Sequence, residues 1–205
     1  HDASGNRIDE IEYHPAYHSL LNLAVESGIH CMRYEKPAGD GAYVTRNALM
    51  GLITQIEMGH GCPTSMTSGA LMALRHQPEL AEIWEPLTIS RNYDQQLKAP
   101  TTKSGVLLGM GMTERQGGSD VRANTSTATP SAGGGPGSEY RLEGHKWFTS
   151  APMCDAFLVL AYAPKGMSCF LVPRVLPDGT RNSLRFMRLK AVSYTHLTLP
   201  TILLV

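Results

Sequence analysis

The chain has 205 residues, 42% of them hydrophobic, which is enough to build a core in one large domain or two small ones. Its 18 basic and 18 acidic residues cancel and form no basic run, so the charge pattern gives no case for nucleic-acid binding. No apolar stretch is long enough for a membrane span, and the start "HDASGNRIDE" lacks the form of a signal peptide, so a cytoplasmic protein without membrane contact is expected.

The first residue is His1, which reads as a start inside a longer reading frame. From residue 15 to about 91 the periodicity is helical. "PAYHSLLNLAVESGIHCMRY" opens on Pro15 and sets Leu20, Leu21, Ala24, Val25 and Ile29 on one face. "GAYVTRNALMGLITQIEMGHG" does the same with Val44, Ala48, Leu52, Ile56 and Gly59, and stops on glycines. "PTSMTSGALMALRHQ" and "PELAEIWEPL" predict two further helices, each opened by a proline. From residue 104 the period changes to two. Strands are predicted over 105–112, 140–142, 146–149, 157–162, 168–172 and 184–189, with "TPSAGGGPGSE" as a hairpin loop before 140. Residues 191–205, "AVSYTHLTLPTILLV", carry no Asp, Glu, Lys or Arg and read as a non-native tail.

Several candidate sites have a plainer reading. His14 and His18 have the i, i+4 spacing of two metal ligands, but Pro15 puts them at a helix start with no third ligand nearby, so capping or packing is expected and no metal. Cys31, Cys62, Cys154 and Cys169 are too far apart for a CxxC knuckle and read as reduced, mostly buried thiols. Cys62 beside His60 on a turn makes a poor nucleophile pair. Met50, Met58, Met66 and Met72 read as core filling, Glu57 as an exposed helix residue and Glu114 as a turn residue.

"GMGMTERQGGSDVRANT", starting at Gly109, is the string that asks for a ligand. A Rossmann fingerprint needs a third glycine where Glu114 stands and a helix afterwards, and a P-loop needs GK followed by Ser or Thr. Neither is present. The remaining reading is strand, turn "ERQGGS", strand, with Gly117 and Gly118 aiming backbone amides at an anion, Ser119 adding a hydroxyl and Thr113 at the strand end beside a heterocycle. A second string, "YRLEGHKWFTSAP", places Phe148, Thr149 and Ser150 together, an aromatic face beside hydroxyls that suits a flat, polar-edged ring.

"MTERQGGSD" followed by "GHKWFTS" resembles the flavin-binding middle domain of the acyl-CoA dehydrogenase family, whose usual form is TExxxGSD and then an aromatic-x-(Thr/Ser) string. "HPAYHSLL", "GHGCPTSMT", "SCFLVPR" and "LPDGTRNSLRFMRLK" extend the similarity to its AidB-like, alkylation-response branch over roughly residues 1–190. The resemblance implies FAD as cofactor. Thr113 then lies by the pyrimidine side of the ring and the acyl group, with backbone from Met110, Gly111 and Met112. Gly118 and Ser119 lie toward the pyrophosphate, Ser119 also near the thioester ligand. Phe148, Thr149 and Ser150 form the second wall; a one-residue slip would instead put Trp147 and Thr149 there. Arg115 replaces the usual proline after TE, which leaves acyl-CoA specificity open.

The fold class that follows is α+β: a partial helical N-terminal domain over 1–103, an antiparallel β-barrel FAD-binding middle domain over 104–190, and a tail over 191–205. The family's C-terminal helical bundle is missing. That bundle carries the family's glutamate base, so the resemblance names no catalytic residue here. The intact parent is expected to dehydrogenate an acyl-CoA thioester at the α,β position as a homo-oligomer, a tetramer. The alternative is a DNA-associated protective flavoprotein, binding DNA through the missing C-terminal part. The 205 residues alone are expected to be inactive.

Overall fold

The computed structural model describes residues 2–35 and 40–189, which fall in two compact units, one within Ile11–Asn182 and the other formed by residues 2–10 with 183–189. In the smaller unit, the Asp9 carboxylate accepts from Arg7 Nε at 2.7 Å and from the Phe186 amide at 2.9 Å. Asp9 itself adopts a left-handed backbone, with φ 47°. No strand forms over 184–189, because a carboxylate rather than a neighbouring strand takes the Phe186 amide. The tail expected over 191–205 lies outside the described residues.

The larger unit begins with four helices: α1 (Pro15–Glu26), α2 (Ala42–Ile56), α3 (Gly61–Leu74) and α4 (Pro78–Thr88). His14 caps α1, its Nδ1 accepting from the Ala16 amide at 3.1 Å, and Pro15 fills the first turn as its fixed φ favours. Leu21, Ala24, Val25 and Ile29 are buried as the periodicity requires. For α2 the expected face is the wrong one. Val44, Leu52 and Ile56 are exposed, and Ile53 with Leu49 and Met50 packs instead on Ala24 and Ile29. α2 is apolar on more than one side, so periodicity alone did not identify the side that faces α1. Met58 and Met72 are likewise exposed rather than core filling.

The sheet contains β1 (Leu108–Gly111), β2 (Thr127–Pro130), β3 (Tyr140–Glu143), β4 (Ala156–Ala163) and β5 (Gly166–Pro173). The hairpins β2–β3 and β4–β5 are antiparallel, with the glycine-rich run as the loop of the first. β1 and β2 pair in parallel with β4, β1 along Ala156 to Val159 and β2 at Tyr162. Because β5 occupies β4 along its whole length, β1 and β2 share the opposite edge. The chain therefore leaves that edge after Gly111 and rejoins it at Thr127. The intervening excursion carries "MTERQGGSDVRANTS".

Helices and sheet share one apolar cluster: Ala70, Leu74 and Trp84 from α3 and α4 pack on Val106, Leu108, Ala156 and Leu158. Thr67 of α3 also fastens β1, its Oγ1 accepting from the Leu108 amide at 2.9 Å. Cys31 and Cys154 are buried and Cys62 and Cys169 exposed, all as free thiols; burial pushes the Cys31 thiol up to about 12.

His30 gives the helical part a pH dependence. Its ring is fully buried, with Nε2 3.0 Å from the Ser90 carbonyl, which places the proton of the neutral ring on Nε2. Burial pushes its pKa down to about 4 from the ordinary 6.5. A depressed imidazole pKa means that the unfolded chain binds the proton first, so stability is lost as pH falls from 6.5 toward 4. The expected loss is about 3 kcal/mol over that window. Melting temperatures measured across it should slope for the wild type, with the slope much reduced in His30→Asn.

Candidate functional site

The excursion from β1 is a built loop. Glu114, Arg115, Gln116 and Gly117 form a tight turn closed by the Gly117 amide on the Glu114 carbonyl at 3.0 Å, with Gly117 at φ 121°. This corrects one expectation: the Gly117 amide closes the turn and does not point at an anion. Gly118 lies against Thr113, where an added Cβ would come within 2.5 Å of Thr113 Oγ1 and displace that hydroxyl. Ser119 and Asp120 stand exposed, followed by a single helical turn, Val121–Ala123. Asn124 Nδ2 returns to the Met112 carbonyl at 2.9 Å and Gln116 Nε2 to the Ala123 carbonyl at 2.7 Å.

The second string lies directly beside the first. The Trp147 amide donates to the Thr113 carbonyl at 2.8 Å and the Ser150 amide to the Met110 carbonyl at 3.1 Å. A regular antiparallel ladder repeats every two residues, whereas these bonds are three apart on each chain. The backbone bends at Trp147, so no strand forms over 146–149. Trp147 and Phe148 are both half-buried, with ring centroids 6.4 Å apart. An added Cβ at Gly111 would meet Thr149 Oγ1 at 3.3 Å, which places that hydroxyl beside β1. Ala151 follows Ser150 with φ 56°, a left-handed backbone unusual for alanine.

The structure thus assembles Met110, Gly111, Met112, Thr113 and Gly118 with Phe148, Thr149 and Ser150 on one partly exposed platform. Ser119 stands apart at the turn's outer end. Among the described residues, the hydroxyls of Thr113, Ser119, Thr149 and Ser150 are not used by the protein's own hydrogen bonds. Glycine cradles that a Cβ would fill, unused hydroxyls and two aromatic rings fit a flat cofactor with polar edges. Among the described residues no group of three His, Cys, Asp or Glu is placed to hold a metal.

Beneath the platform lies a group that sequence reasoning missed. Glu114 is a buried carboxylate, only 2% exposed. Its Oε2 accepts from the Thr125 amide at 2.7 Å and Thr125 Oγ1 at 2.9 Å; its Oε1 accepts from the Ser126 amide at 3.0 Å, Ser126 Oγ at 2.6 Å and Lys146 Nζ at 2.7 Å. Burial alone would raise its pKa, but the Lys146 ammonium and the Ser126 and Thr125 donors outweigh it and hold the carboxyl well below the usual range. No local pattern signals this pair, because Glu114 and Lys146 stand 32 residues apart in the sequence.

Residues 1–95 match the family model described as the adaptive response protein AidB N-terminal domain, and residues 109–198 that of the acyl-CoA dehydrogenase middle domain. The second match runs past residue 190 into the segment expected to be non-native. The chain is 45% identical to the putative acyl-CoA dehydrogenase AidB of Escherichia coli K12, over 93% of this chain and 35% of that protein. It superposes on the structure of Bd2924 in its apo form with a TM-score of 0.77 at 32% identity, over 92% of this chain and 38% of that one. Against Caenorhabditis elegans ACDH-11, solved in complex with C11-CoA, the TM-score is 0.75 at 28% identity, over 92% and 32% of the two chains. At 22% identity, a Bacillus anthracis acyl-CoA dehydrogenase solved with FAD shares the fold with a TM-score of 0.53, over 77% of this chain and 25% of that one. The chain spans about a third of the length of the curated relatives it matches.

Proposed function

Because the chain belongs to the acyl-CoA dehydrogenase family, joining an AidB-type N-terminal domain to that family's middle domain, we propose that its platform binds FAD and faces an acyl-CoA thioester. The observation that supports this reading is the juxtaposition of the two strings: residues far apart in sequence, Thr113 with Trp147 and Met110 with Ser150, lie side by side through the amides of Trp147 and Ser150. The C11-CoA complex of ACDH-11 supports the ligand class, and the FAD complex of the B. anthracis enzyme supports the cofactor.

Bound FAD would supply the acceptor for a hydride from the substrate's β carbon. The chain's own residues bind and orient. Thr113, with backbone from Met110 to Met112, takes the polar edge of the ring and lies by the acyl group. Phe148, Thr149 and Ser150 form the other wall. Gly118 and Ser119 reach toward the pyrophosphate, Ser119 also toward the thioester. Glu114 is not the base for the α proton, because its carboxylate is buried and held ionised by Lys146, Thr125 and Ser126. Glu57 holds the Gly59 amide at 2.7 Å and is not on the platform. We assign dehydrogenation to the full-length protein, as a homo-oligomer, and expect the 205-residue chain alone to turn over no acyl-CoA.

The test is to purify the full-length protein and record its visible spectrum. Bound flavin with a yellow absorbance, bleached by an acyl-CoA thioester, is expected; a colourless protein indifferent to added FAD would overturn the proposal. The similarity to AidB favours a second reading, a DNA-associated protective flavoprotein of the alkylation response. Salt-sensitive retention of DNA by a flavin-loaded protein that thioesters do not bleach would support it instead.

A further inference from the structure

We infer that Glu114 is the positioning residue of the proposed flavin platform: its buried carboxylate clamps the excursion from β1 and Lys146 of the second wall into a single register before any cofactor arrives. The inference rests on the FAD reading above, and concerns a residue that touches the two walls rather than the ring.

Glu114 follows Thr113, and Lys146 precedes Trp147. The ion pair at 2.7 Å is therefore the next contact beyond the Trp147 amide on the Thr113 carbonyl. Both side chains are buried, 9% exposed for Lys146 and 3% for Glu114. If the walls slipped by one residue, Lys146 would leave Glu114 and two charges would be stranded in a low-dielectric site, a costly outcome. The ion pair thus selects the register that sets Trp147 opposite Thr113 and Ser150 opposite Met110. A hydrogen bond between neutral groups would select it more weakly.

The same carboxylate closes the far end of the loop. Thr125 and Ser126 each give it an amide and a hydroxyl, and Ser126 leads directly into β2, its carbonyl accepting from the Tyr162 amide at 2.8 Å. One side chain thereby joins the exit from β1, the entry to β2 and the second wall. Gly118 lies within the loop that Glu114 closes and packs against Thr113, the residue just ahead of Glu114. Their geometry then depends on Glu114 although Glu114 itself is out of reach of a ligand on the surface.

The experiment uses the full-length protein and four forms: wild type, Glu114→Gln, Glu114→Asp and, as a destabilised control away from the platform, Ile29→Ala. FAD affinity is read by flavin fluorescence, and loop closure by hydrogen exchange at the Thr125, Ser126 and Trp147 amides without cofactor. Glu114→Gln is expected to weaken FAD binding roughly 10- to 100-fold, the worth of a charged hydrogen bond, and to speed exchange at those three amides while β4 and β5 stay protected. Glu114→Asp, which keeps the charge, should recover part of the affinity. Ile29→Ala should melt earlier yet bind FAD as the wild type does. Wild-type affinity in Glu114→Gln, or FAD loss in Ile29→Ala matching that in Glu114→Gln, would overturn the inference. A wild type that binds no FAD would instead overturn the functional reading on which it rests.

Discussion

Asp155→Ala is expected to destabilise the protein by about 3–5 kcal/mol, the typical cost of removing one partner from a buried ion pair. Asp155 opens the turn into β4, and its two oxygens face different parts of the chain. Oδ1 accepts from Lys103 Nζ at 2.5 Å and Oδ2 from the Leu107 amide at 2.9 Å, just ahead of β1. Lys103 is buried too, and donates as well to the carbonyls of Asp94 at 2.5 Å and Gln96 at 3.0 Å. Without the carboxylate, those carbonyls leave a buried ammonium that has lost its direct ion-pair partner. Lys103→Met should cost less. Burial pushes the Asp155 carboxyl up while Lys103 pulls it down, so removing the lysine lets Asp155 take a proton and remain buried as a neutral acid. A carboxyl whose folded pKa is raised binds its proton in the folded state first, so the Lys103→Met variant loses stability as pH rises above the ordinary carboxylate range. Urea midpoints at several pH values check both points: Asp155→Ala should be the weaker variant at low pH, and Lys103→Met should slope downward as pH rises.

The helices were legible because their ends carry chemistry that acts locally. Pro15 and Pro78 sit in the first turns of α1 and α4, and His14 caps α1 as expected of a histidine before a helix-opening proline. The buried side of α2 was not legible. Val44, Leu52 and Ile56 are as apolar as Leu49, Met50 and Ile53, and only the position of α1 decides between them. In the sheet, β4 and β5 were readable from alternation and the glycine-rich run marked the loop before β3, but β2 was not among the expected strands, and the parallel pairings of β1 and β2 with β4 join residues far apart in sequence, with no turn signal. Within the candidate site, glycines, hydroxyls and aromatic rings drew attention to two strings through their resemblance to a flavin-binding pattern, and the amides of Trp147 and Ser150 join those strings. The support beneath it stayed hidden. A glutamate in a turn looks solvated in sequence, and five of the six donors that converge on Glu114 come from residues 11, 12 and 32 positions away.

Phe157→Ala should cost about 3–5 kcal/mol, as expected for emptying a fully buried aromatic site. Its value as a test lies in its partner. Gly109 pairs with Phe157 in the β1–β4 register, and an added Cβ there would fall 2.7 and 2.8 Å from two ring carbons and against the Ser150 carbonyl. Gly109 is required by this close approach and not by its dihedrals. Gly109→Ala alone should cost about 1–3 kcal/mol by overpacking. In the double variant the ring is gone and only the Ser150 carbonyl still opposes the new methyl. The combined loss should therefore fall short of the sum of the single losses by about 1 kcal/mol, a coupling within the range of contacting residues. Ligand binding should separate the two changes further. Phe157→Ala leaves a cavity below the wall, whereas Gly109→Ala pushes on the Ser150 backbone and with it the hydroxyl assigned to the flavin. FAD affinity, measured at equal fractions folded, should fall more in Gly109→Ala than in Phe157→Ala. The reverse order would show that the wall is positioned by the core behind it and not by the Gly109–Ser150 contact.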